Sequence, residues 1–322
     1  MFTLEELEAA AALVHSRMPP TPQHVWPLLA ERLGVDVVVK HENHTPAGAF
    51  KVRGGIVFID GLKRRLPQTK GVITATRGNH GQSIARAASA AGLTATILVP
   101  RGNSVEKNAA MRAFGARLIE HGADFDEAKA EAECLAAAEG LTLVPSFHAD
   151  LVKGVATYAL ELFRAAPDLA AVYAPIGLGS GICGLITARD LLGLDTKIFG
   201  VVSEAAPAYA LSFAAGHPVP TNSARTFADG VAVREPHPAA VEIINRGAAG
   251  IVRVSDDQVA EAIRILFEDT HNLAEGAGAA ALAALIADRD QWRGRRVGVI
   301  LSGGNIDRPV YRQVLAGETP RA

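Results

Sequence analysis

Lys51 lies in the segment of the chain whose residue types best fit a reactive site. Residues 39–55 read VKHENHTPAGAFKVRGG, so Lys51 stands between Phe50 and Val52, after a loop with proline and glycine. Burial among apolar neighbours lowers the pKa of a lysine, because it disfavours the charged amine. A neutral amine can form a Schiff base with an aldehyde of a substrate or a cofactor. A lysine at a helix start can also reach solvent along its aliphatic stem, so this segment alone leaves both interpretations open.

A second candidate site is the glycine-containing turn in residues 74–83, TATRGNHGQS. Gly78 and Gly81 allow close approach of a ligand to the backbone, and we expect Asn79 to cap the helix that follows. Free N–H groups at such a turn suit a carboxylate. An ordinary helix start with turn glycines is an equally good interpretation of this segment alone.

A third segment, residues 176–184, reads IGLGSGICG and lies between a predicted strand and a predicted helix. Its N–H groups and the helix dipole are suited to a phosphate group. Gly179, Gly181 and Gly184 also match the pattern G-x-G-x-x-G, and Glu204 follows about twenty residues later, as in dinucleotide-binding folds. The segment therefore predicts a phosphate site and leaves a nicotinamide cofactor open as an alternative.

A fourth segment, LSGGNI at residues 301–306, again leads from a predicted strand into a glycine turn. Ligands of α/β proteins bind at the carboxyl ends of parallel strands, which is where Ser302 would lie. A plain turn with a capping serine is the alternative.

Short β-branched runs alternate with long Ala- and Leu-rich helical patterns, which predicts an α/β fold of parallel sheets flanked by helices. We expect two domains, a large one from residues 1–70 and 148–322 and a small inserted one from 71–147. The predicted strands are 35–40, 71–75, 94–99, 116–119, 171–176, 197–203 and 296–301. The predicted helices include 80–91, 105–114, 124–139, 151–165, 181–192, 256–270 and 275–288.

Composition excludes several classes of protein. The formal charge of the 322-residue chain is −2 and no basic block occurs, which argues against nucleic-acid binding. No apolar run approaches the roughly twenty residues of a membrane span. The chain has only two cysteines, Cys134 and Cys183, and its acidic, amphipathic N-terminus does not resemble a signal peptide. We therefore expect a cytoplasmic protein.

Four motifs in a fixed order resemble the fold-type II pyridoxal-phosphate enzymes, and within them the serine/threonine dehydratase and serine racemase family. They are KHENHTPAGAFKVRGG, RGNHGQSIA, ADGVAV at 228–233 and EGAGAAALAAL at 275–285. The glycine loop at 177–181 and the SGGN turn agree with them, so the resemblance covers nearly the whole chain. It implies a tryptophan synthase β-like fold with pyridoxal 5′-phosphate as cofactor.

The resemblance also implies roles for individual residues. Lys51 would bind the cofactor covalently and remove the α-proton of the substrate. Phe50 would pack beside the cofactor ring, Asn79 would bind its 3-hydroxyl and Ser302 its ring nitrogen. The remaining implied residues are the phosphate loop (Gly177, Leu178, Gly179, Ser180, Gly181), the pocket lining (Gly230, Glu275) and the carboxylate-binding turn (Thr76, Arg77, Gly78, Asn79, His80).

The activity that this resemblance implies is a dehydratase, or ammonia-lyase, acting on a β-hydroxy amino acid. The neutral hydroxyl of Ser302 makes the cofactor a weaker electron sink than a carboxylate would, which favours elimination over transamination. Threonine or serine is the expected substrate, and 3-hydroxyaspartate and 3-phenylserine are alternatives. Serine racemisation is a lesser alternative, and a nicotinamide-dependent oxidoreductase is the alternative outside the family.

The chain departs from the family pattern at two places. The family's racemases have a serine before the Gly-Asn-His motif, where this chain has Arg77, and a guanidinium does not act as a base because its pKa stays above about 12. The divalent-cation site of many relatives has a glutamate and an aspartate where this chain has Val202 and Ala208. Hard cations need oxygen ligands, so we expect no metal.

Further expectations concern the role and the assembly of the protein. The chain ends at Ala322, soon after the SGGN turn, which leaves no room for the C-terminal regulatory domain of allosteric threonine deaminases. We therefore expect a role in amino-acid catabolism. We also expect a homodimer or homotetramer.

Overall fold

The computed structural model of the protein describes residues 1–321. Its strands are β1 (Gln23–Val25), β2 (Asp36–His41), β3 (Gly71–Ala75), β4 (Thr94–Val99), β5 (Arg117–Glu120), β6 (Thr142–Leu143), β7 (Ala171–Pro175), β8 (Lys197–Ser203), β9 (Gly250–Val254) and β10 (Arg296–Leu301). Its helices are α1 (Leu4–His15), α2 (Pro27–Leu33), α3 (Lys51–Arg65), α4 (Asn79–Ala90), α5 (Val105–Ala113), α6 (Phe125–Glu139), α7 (Ala149–Ala165), α8 (Ser180–Leu191), α9 (Ala208–Ala215), α10 (Pro238–Gly247), α11 (Asp256–Thr270), α12 (Gly276–Asp288) and α13 (Arg308–Leu315).

Six strands form one sheet in the order β1-β2-β10-β7-β8-β9, which is parallel apart from the antiparallel edge strand β1. Its central strands are apolar on both faces, because side chains alternate across the sheet. In β10, Val297 and Val299 face a core shared with α11 and α12, whereas Ile300 faces a core shared with α7 and α8. Helices therefore cover both faces of this sheet.

The other four strands form a separate parallel sheet in the order β5-β4-β3-β6. Val72 of β3 faces a core with Ile84 of α4, and Ile73 faces a core with Ala128 and Ala132 of α6. All four strands lie between residues 71 and 143. We retain the domain boundaries at 70/71 and 147/148 as a proposal, and we call residues 71–147 the small unit and the remainder of the chain the large unit.

Several polar contacts join the two units across the cleft between them. Asp307, at the start of α13 in the large unit, accepts hydrogen bonds from the Ser104 hydroxyl and the Val105 amide at the start of α5. In return, Glu106 of α5 accepts a hydrogen bond of 2.9 Å from the backbone N–H of Arg308. Each unit therefore caps a helix of the other unit.

The carboxyl ends of the parallel strands bring the four sequence motifs together. Strand β10 leads into Ser302, β7 leads into the loop at 176–181, and β3 leads into the turn at 76–80. Strand β2 lies beside β10, with His41 opposite Leu301, and its chain continues through a short 3₁₀ turn to Lys51 at the start of α3. Parallel strands align their carboxyl ends at one edge of a sheet, so these segments share one cleft.

No helix in the described part of the chain is both long enough and apolar enough to span a lipid bilayer.

Candidate active site

Lys51 is the first residue of α3, and its amine lies at the phosphate-type loop predicted from the sequence. The Lys51 Nζ atom donates a hydrogen bond of 2.9 Å to Oγ of Ser180, and it lies 4.8 Å from the centre of the Phe50 ring. Burial lowers the pKa of Lys51 to about 8, and the negative charge of Glu275 opposes this shift only in part. The neutral fraction of this amine at physiological pH is therefore far larger than that of an ordinary lysine, as a nucleophile or a base requires.

A buried ionic network holds the first turn of α3, from which Lys51 projects. Arg53 is fully buried and donates hydrogen bonds to Glu42, at 2.7 Å, and to Glu161 of α7, at 2.6 Å. Lys40 of β2 adds a 2.5 Å ion pair with Glu161. These contacts join β2, α3 and α7. Arg53 lies two residues after Lys51, so its two ion pairs hold the helix turn from which Lys51 projects.

The loop at 176–181 has the backbone geometry of an anion site. The N–H groups of Gly177 to Gly181 have no acceptor among the described residues, and they lie at the N-terminus of α8. A Cβ atom on Gly177 would overlap the carbonyl oxygen of Gly230, so the loop and the 229–231 turn pack backbone to backbone. Unpaired amides at a helix N-terminus fit a phosphate group.

Two aromatic residues position this loop. A Cβ atom on Gly181 would lie 3.5 Å from the Phe50 ring, which in turn contacts Tyr158 edge to face. The hydroxyl of Tyr209 donates a hydrogen bond of 2.9 Å to the carbonyl oxygen of Leu178. Phe50, Ser180 and the amine of Lys51 therefore lie together at the mouth of the loop.

The turn at 76–80 differs from the prediction in two respects. Gly78, not Asn79, occupies the N-cap position of α4, and no side chain caps the helix, so the predicted capping role of Asn79 was wrong. The hydroxyl of Thr76 accepts hydrogen bonds from the N–H groups of Gly78 and Gly81, so these two amides do not face a ligand. The N–H groups of Asn79 and His80 have no acceptor within residues 1–321, and they are the ones suited to a carboxylate.

The side chain of Asn79 bonds instead to two residues of the large unit. Its Nδ2 atom donates a hydrogen bond of 2.6 Å to Glu275 Oε1, and its Oδ1 atom accepts one of 2.8 Å from Asn305. Glu275 is buried, and its place in the lining of the cofactor pocket stays a prediction. These contacts orient the amide of Asn79 and leave one of its two Nδ2 hydrogens for another acceptor.

Lys107 is a member of the cluster that the sequence motifs did not reveal. This buried lysine of α5 makes ion pairs of 2.6 Å with Asp229 and 3.2 Å with Glu275. The two carboxylates hold its pKa above the ordinary value in spite of burial. A lysine in the first turn of a helix opposes the helix dipole, and this local conflict is the sequence signal that could have marked it.

His80 and Arg77 occupy contrasting environments within the same turn. Burial, together with the charge of Lys51, lowers the pKa of His80 to about 3, so its imidazole is neutral. Its buried Nε2 atom has no hydrogen-bond partner in the described structure. Arg77 is exposed and makes no ion pair within residues 1–321.

Ser302 lies directly beyond the end of β10 and is buried. Its hydroxyl lies 3.4 Å from the carbonyl oxygen of Ala277, and its own carbonyl oxygen accepts a hydrogen bond from the N–H of Phe50. A Cβ atom on Gly278 would overlap the carbonyl oxygen of Gly303, so α12 packs directly against this turn. The backbone of Ser302 is therefore held by Phe50 and α12, and the side chain at this position is a neutral hydroxyl, not a carboxylate.

The positions that correspond to the cation site of relatives are apolar and buried. Val202 lies within β8, and Ala208 opens α9. Glu204, the nearest carboxylate in sequence, is exposed. Within residues 1–321 no group of three or more His, Cys, Asp or Glu side chains is arranged to hold a metal ion. The absence of a metal remains a prediction.

The site as a whole fits a phosphorylated aldehyde. It presents a partly neutral buried amine and a cradle of unpaired amides beside the ring of Phe50. The unsatisfied Nε2 atom of His80 and the spare Nδ2 hydrogen of Asn79 offer polar contacts in the same space. These features suit pyridoxal 5′-phosphate, which needs a lysine, a phosphate cradle and a partner for its ring hydroxyl.

Comparison with known proteins agrees with this chemistry. The chain is 33% identical over 95% of its length to L-threonine ammonia-lyase of Thermotoga maritima, covering 76% of that protein. It is 32% identical over 92% of its length to L-threo-3-hydroxyaspartate ammonia-lyase of Saccharomyces cerevisiae, covering 91% of that protein. The structure of the processed form of threonine deaminase isoform 2 from Solanum lycopersicum matches with a TM-score of 0.88 and 31% identity, covering 98% of this chain and 95% of that one.

The predicted family, fold class and cofactor are confirmed by these comparisons, and the nicotinamide interpretation of the glycine loop is set aside. The family model described as pyridoxal-phosphate dependent enzyme matches residues 16–303. The chain therefore belongs to the pyridoxal-phosphate-dependent enzymes of fold type II.

Proposed function

We propose that the protein is a pyridoxal-phosphate-dependent ammonia-lyase that removes water from a β-hydroxy amino acid of the threonine or serine type. The products are a 2-oxo acid and ammonia, because the enamine left by the loss of water hydrolyses. The observation that carries the proposal is the buried amine of Lys51, whose pKa is lowered to about 8, next to Ser180 of the amide cradle.

Each residue of the site has a role in this proposal. The cradle at 177–181 holds the phosphate, and Asn79 donates its remaining Nδ2 hydrogen to the 3-hydroxyl. The N–H groups of Asn79 and His80 bind the substrate carboxylate. Lys51 binds the cofactor aldehyde and later, as a free amine, takes the proton from the substrate Cα. Phe50, Gly230 and Glu275 line the pocket around the ring.

Ser302 supports elimination rather than transamination. Pyridoxal phosphate, when bound, supplies an aromatic ring that accepts the electron pair released at Cα. Ser302 would offer the ring nitrogen a neutral hydroxyl, which would hold no fixed proton there, whereas a carboxylate would hold one by a charge-assisted hydrogen bond. The electron pair at Cα is then best used to expel the β-hydroxyl group.

Arg77 argues against racemisation. A racemase needs a second acid–base group on the face of the substrate opposite to Lys51, and a guanidinium does not supply one. Asp229 and Glu275, the carboxylates near this turn, are both engaged by Lys107. Racemisation of serine is therefore the weaker alternative.

The side chain of the substrate distinguishes the remaining alternatives. Arg77 is exposed and has no ion-pair partner within residues 1–321, so its guanidinium is free to bind a second carboxylate, as 3-hydroxyaspartate would supply. The similarity to a 3-hydroxyaspartate ammonia-lyase supports the same alternative. 3-Phenylserine shares the reacting atoms and differs only in its side chain.

A substrate screen tests the proposal. The purified protein, supplied with pyridoxal phosphate, is incubated with threonine, serine, 3-hydroxyaspartate or 3-phenylserine. We expect equal amounts of 2-oxo acid and ammonia from at least one of them. Failure to release either product from all four would contradict the proposed activity, and conversion of L-serine into D-serine without oxo acid would favour a racemase.

We also propose a cytoplasmic homodimer or homotetramer. The outer edge of β1 pairs with no other strand in the described residues, and beside it Val25 and Leu28 are 43% and 56% exposed. An open strand edge with exposed apolar side chains is suited to contact with a second copy. Light scattering of the purified protein during gel filtration gives the number of subunits, and a monomer would refute this part of the proposal.

A further inference from the structure

We propose that Lys107 is a positioning residue of the active site that acts across the cleft: it keeps Glu275 ionised and thereby fixes the amide of Asn79 toward the cofactor. Lys107 lies in the small unit and Glu275 lies in the large unit. The inference rests on the proposed cofactor contact of Asn79, but its main test measures stability and does not depend on which amino acid is the substrate.

The contacts of Lys107 form a bridge between the units. Its Nζ atom lies 2.6 Å from Asp229 Oδ2 and 3.2 Å from Glu275 Oε2, and both Lys107 and Glu275 are nearly inaccessible to solvent. A Cβ atom on Gly78 would overlap the aliphatic stem of Lys107. The side chain of Lys107 therefore packs against the turn at 76–80 and also pairs with the carboxylate of Glu275.

The strength with which Asn79 is held depends on the charge of Glu275. Asn305 donates its two Nδ2 hydrogens to the carbonyl oxygen of Ala47 and to Oδ1 of Asn79, each at 2.8 Å. This fixes which end of the Asn79 amide is the acceptor, and the Nδ2 end then donates to Glu275 at 2.6 Å. With an ionised Glu275 this is a charge-assisted hydrogen bond, which is shorter and stronger than the neutral bond to a protonated Glu275.

The charged groups that face Glu275 come from three elements. Lys107 approaches from α5, Asp229 from the 229–231 turn and Lys51 from α3, while Asn79 of α4 contributes a neutral amide. Burial raises the pKa of Glu275, the charge of Asp229 raises it further, and Lys107 lowers it. Among the described residues that face Glu275, Lys51 is the cation that remains without Lys107, and its own pKa is lowered to about 8.

Replacement of Lys107 by methionine therefore makes stability depend on pH in a defined direction. A carboxyl group whose pKa is raised on folding binds its proton more tightly in the folded chain. Its contribution to stability is present at low pH and is lost as the pH rises from the unfolded pKa toward the raised folded pKa. Over that interval the unfolding equilibrium constant of Lys107→Met rises by up to about tenfold per pH unit relative to the parent.

The experiment compares denaturant unfolding of the full-length protein with bound cofactor at several pH values between about 5 and 9, the range over which a raised carboxyl pKa is expressed. Arg234→Met is the matched control, because Arg234 makes ion pairs across the same cleft, to Asp124 and Asp126, and does not touch Glu275. We expect the unfolding equilibrium constant of Lys107→Met to show the added pH dependence. The unfolding equilibrium constant of Arg234→Met should change with pH in the same way as that of the parent. Lys107→Arg should restore the parental profile, and Lys107→Met combined with Glu275→Gln should remove the added pH dependence.

Two outcomes would overturn the inference from stability. One is an unfolding equilibrium constant of Lys107→Met that changes with pH just as that of the parent does. The other is an added pH dependence that persists when Lys107→Met is combined with Glu275→Gln. If Lys107→Met does not fold near pH 8, folding at about pH 5 supports the inference, because a carboxyl group with a raised pKa binds more proton as the pH falls; failure at both pH values contradicts it.

The dissociation constant for pyridoxal phosphate, measured by visible absorbance, tests the positioning of Asn79 separately. Lys107→Met and Asn79→Ala should each raise it by roughly tenfold, as loss of a charge-assisted contact would. Arg234→Met should leave it unchanged. If Lys107→Met binds pyridoxal phosphate as tightly as the parent does, Lys107 forms a structural ion pair and does not position Asn79. If no hydroxy amino acid reacts but these profiles hold, the proposed function fails and the role of Lys107 stands.

Discussion

Lys51 and Lys107 are both buried in one cleft, yet their surroundings shift the pKa of each amine in opposite directions. Lys51 bonds to the neutral hydroxyl of Ser180, so burial dominates and lowers its pKa to about 8. Lys107 lies between two carboxylates, which outweigh burial and raise its pKa. Only Lys51 can therefore supply a neutral amine near pH 7, and Lys107 remains a fixed positive charge.

Lys51→Ala tests the assignment of the nucleophile. The variant should fold but lose ammonia release and the visible absorbance of lysine-bound pyridoxal, because within residues 1–321 it is the amine of Lys51 that bonds to Ser180 of the phosphate loop. Absorbance spectra and product assays measure both effects. Lys63→Ala, which changes an exposed lysine of the same helix, should behave like the parent. Elimination by Lys51→Ala without an added amine would refute the assignment.

Arg77→Ser tests whether this arginine binds a second carboxylate of the substrate. If it does, kcat/KM for 3-hydroxyaspartate should fall by roughly 10- to 150-fold, the equivalent of about 1.5–3 kcal/mol for charge-assisted hydrogen bonds, and kcat/KM for threonine should fall much less. The variant Arg101→Ser, which changes another exposed arginine of the small unit, serves as the control.

The pattern across the two substrates separates the possible roles of Arg77. An equal loss for both would mean that Arg77 only orders the turn at 76–80. Unchanged kinetics for both would place it on the solvated surface. Dehydration should exceed racemisation in the parent, since no serine precedes Gly78.

At the scale of elements, the first turn of α3 is held by buried charges in addition to the apolar packing of Val52. Glu161 of α7 contacts both Arg53 and Lys40, and these cations lower the pKa of Glu161 to about 2, against the opposing effect of burial. A lowered carboxyl pKa stabilises the fold above the ordinary pKa near 4.5, and this stabilisation is lost as the pH falls toward 2.

Glu161→Gln should therefore lower the free energy of unfolding at pH 7 by about 3 kcal/mol, because it leaves two buried cations with a single carboxylate. The loss should shrink as the pH falls below about 4.5 toward 2, where Glu161 of the parent also becomes protonated. Urea denaturation across this range gives both values. Glu139→Gln, which breaks an exposed pair with Arg117, should cost less than about 1 kcal/mol. Equal costs for the two variants would contradict the importance of the network.

Most elements of the fold could be predicted because their patterns are local. The strands at 71–75, 94–99, 197–203 and 296–301 have the predicted bounds, since each is an apolar β-branched run between turn signals. Strands β1 and β9 were not predicted, because one has three residues and the other is only half buried at the sheet edge. Short edge strands are recognised by their partners rather than by their own sequence.

The site shows the same limit at the level of side chains. Lys51, the glycine loop and Ser302 could be located from motifs, because glycines and polar residues at strand ends form local patterns. Lys107 could not, since its partner Asp229 is 122 residues away in the chain. The capping role expected for Asn79 was wrong for a related reason: its amide serves Glu275 and Asn305 across the cleft, contacts that no local pattern encodes.

At the scale of the whole molecule, the expected absence of a cation site gives a further prediction. Dialysis against EDTA should leave ammonia release essentially unchanged, because Val202 and Ala208 offer no oxygen ligand in their side chains. A carbonyl reagent that removes pyridoxal phosphate should abolish activity in the same assay. A large loss in EDTA that magnesium or calcium restores would show that another carboxylate, such as Glu204, serves the site.

The two units also meet through caps that each supplies to the other. Asp307 accepts from the Val105 N–H of α5, and Glu106 accepts from the Arg308 N–H of α13. Separation of the two units would therefore leave both of these N–H groups without their acceptors.

The close contacts between backbones have a consequence for how this enzyme can be altered in the laboratory. Gly177 and Gly278 each face a carbonyl oxygen with no room for a methyl group, so libraries that randomise these positions will yield mostly unfolded or cofactor-free proteins. New substrate preferences are more accessible through side chains that face the open cleft, and Arg77 is the first of these because nothing in the described chain depends on its charge. Substitution is therefore restricted where backbones pack together, and substrate preference is best changed at exposed side chains.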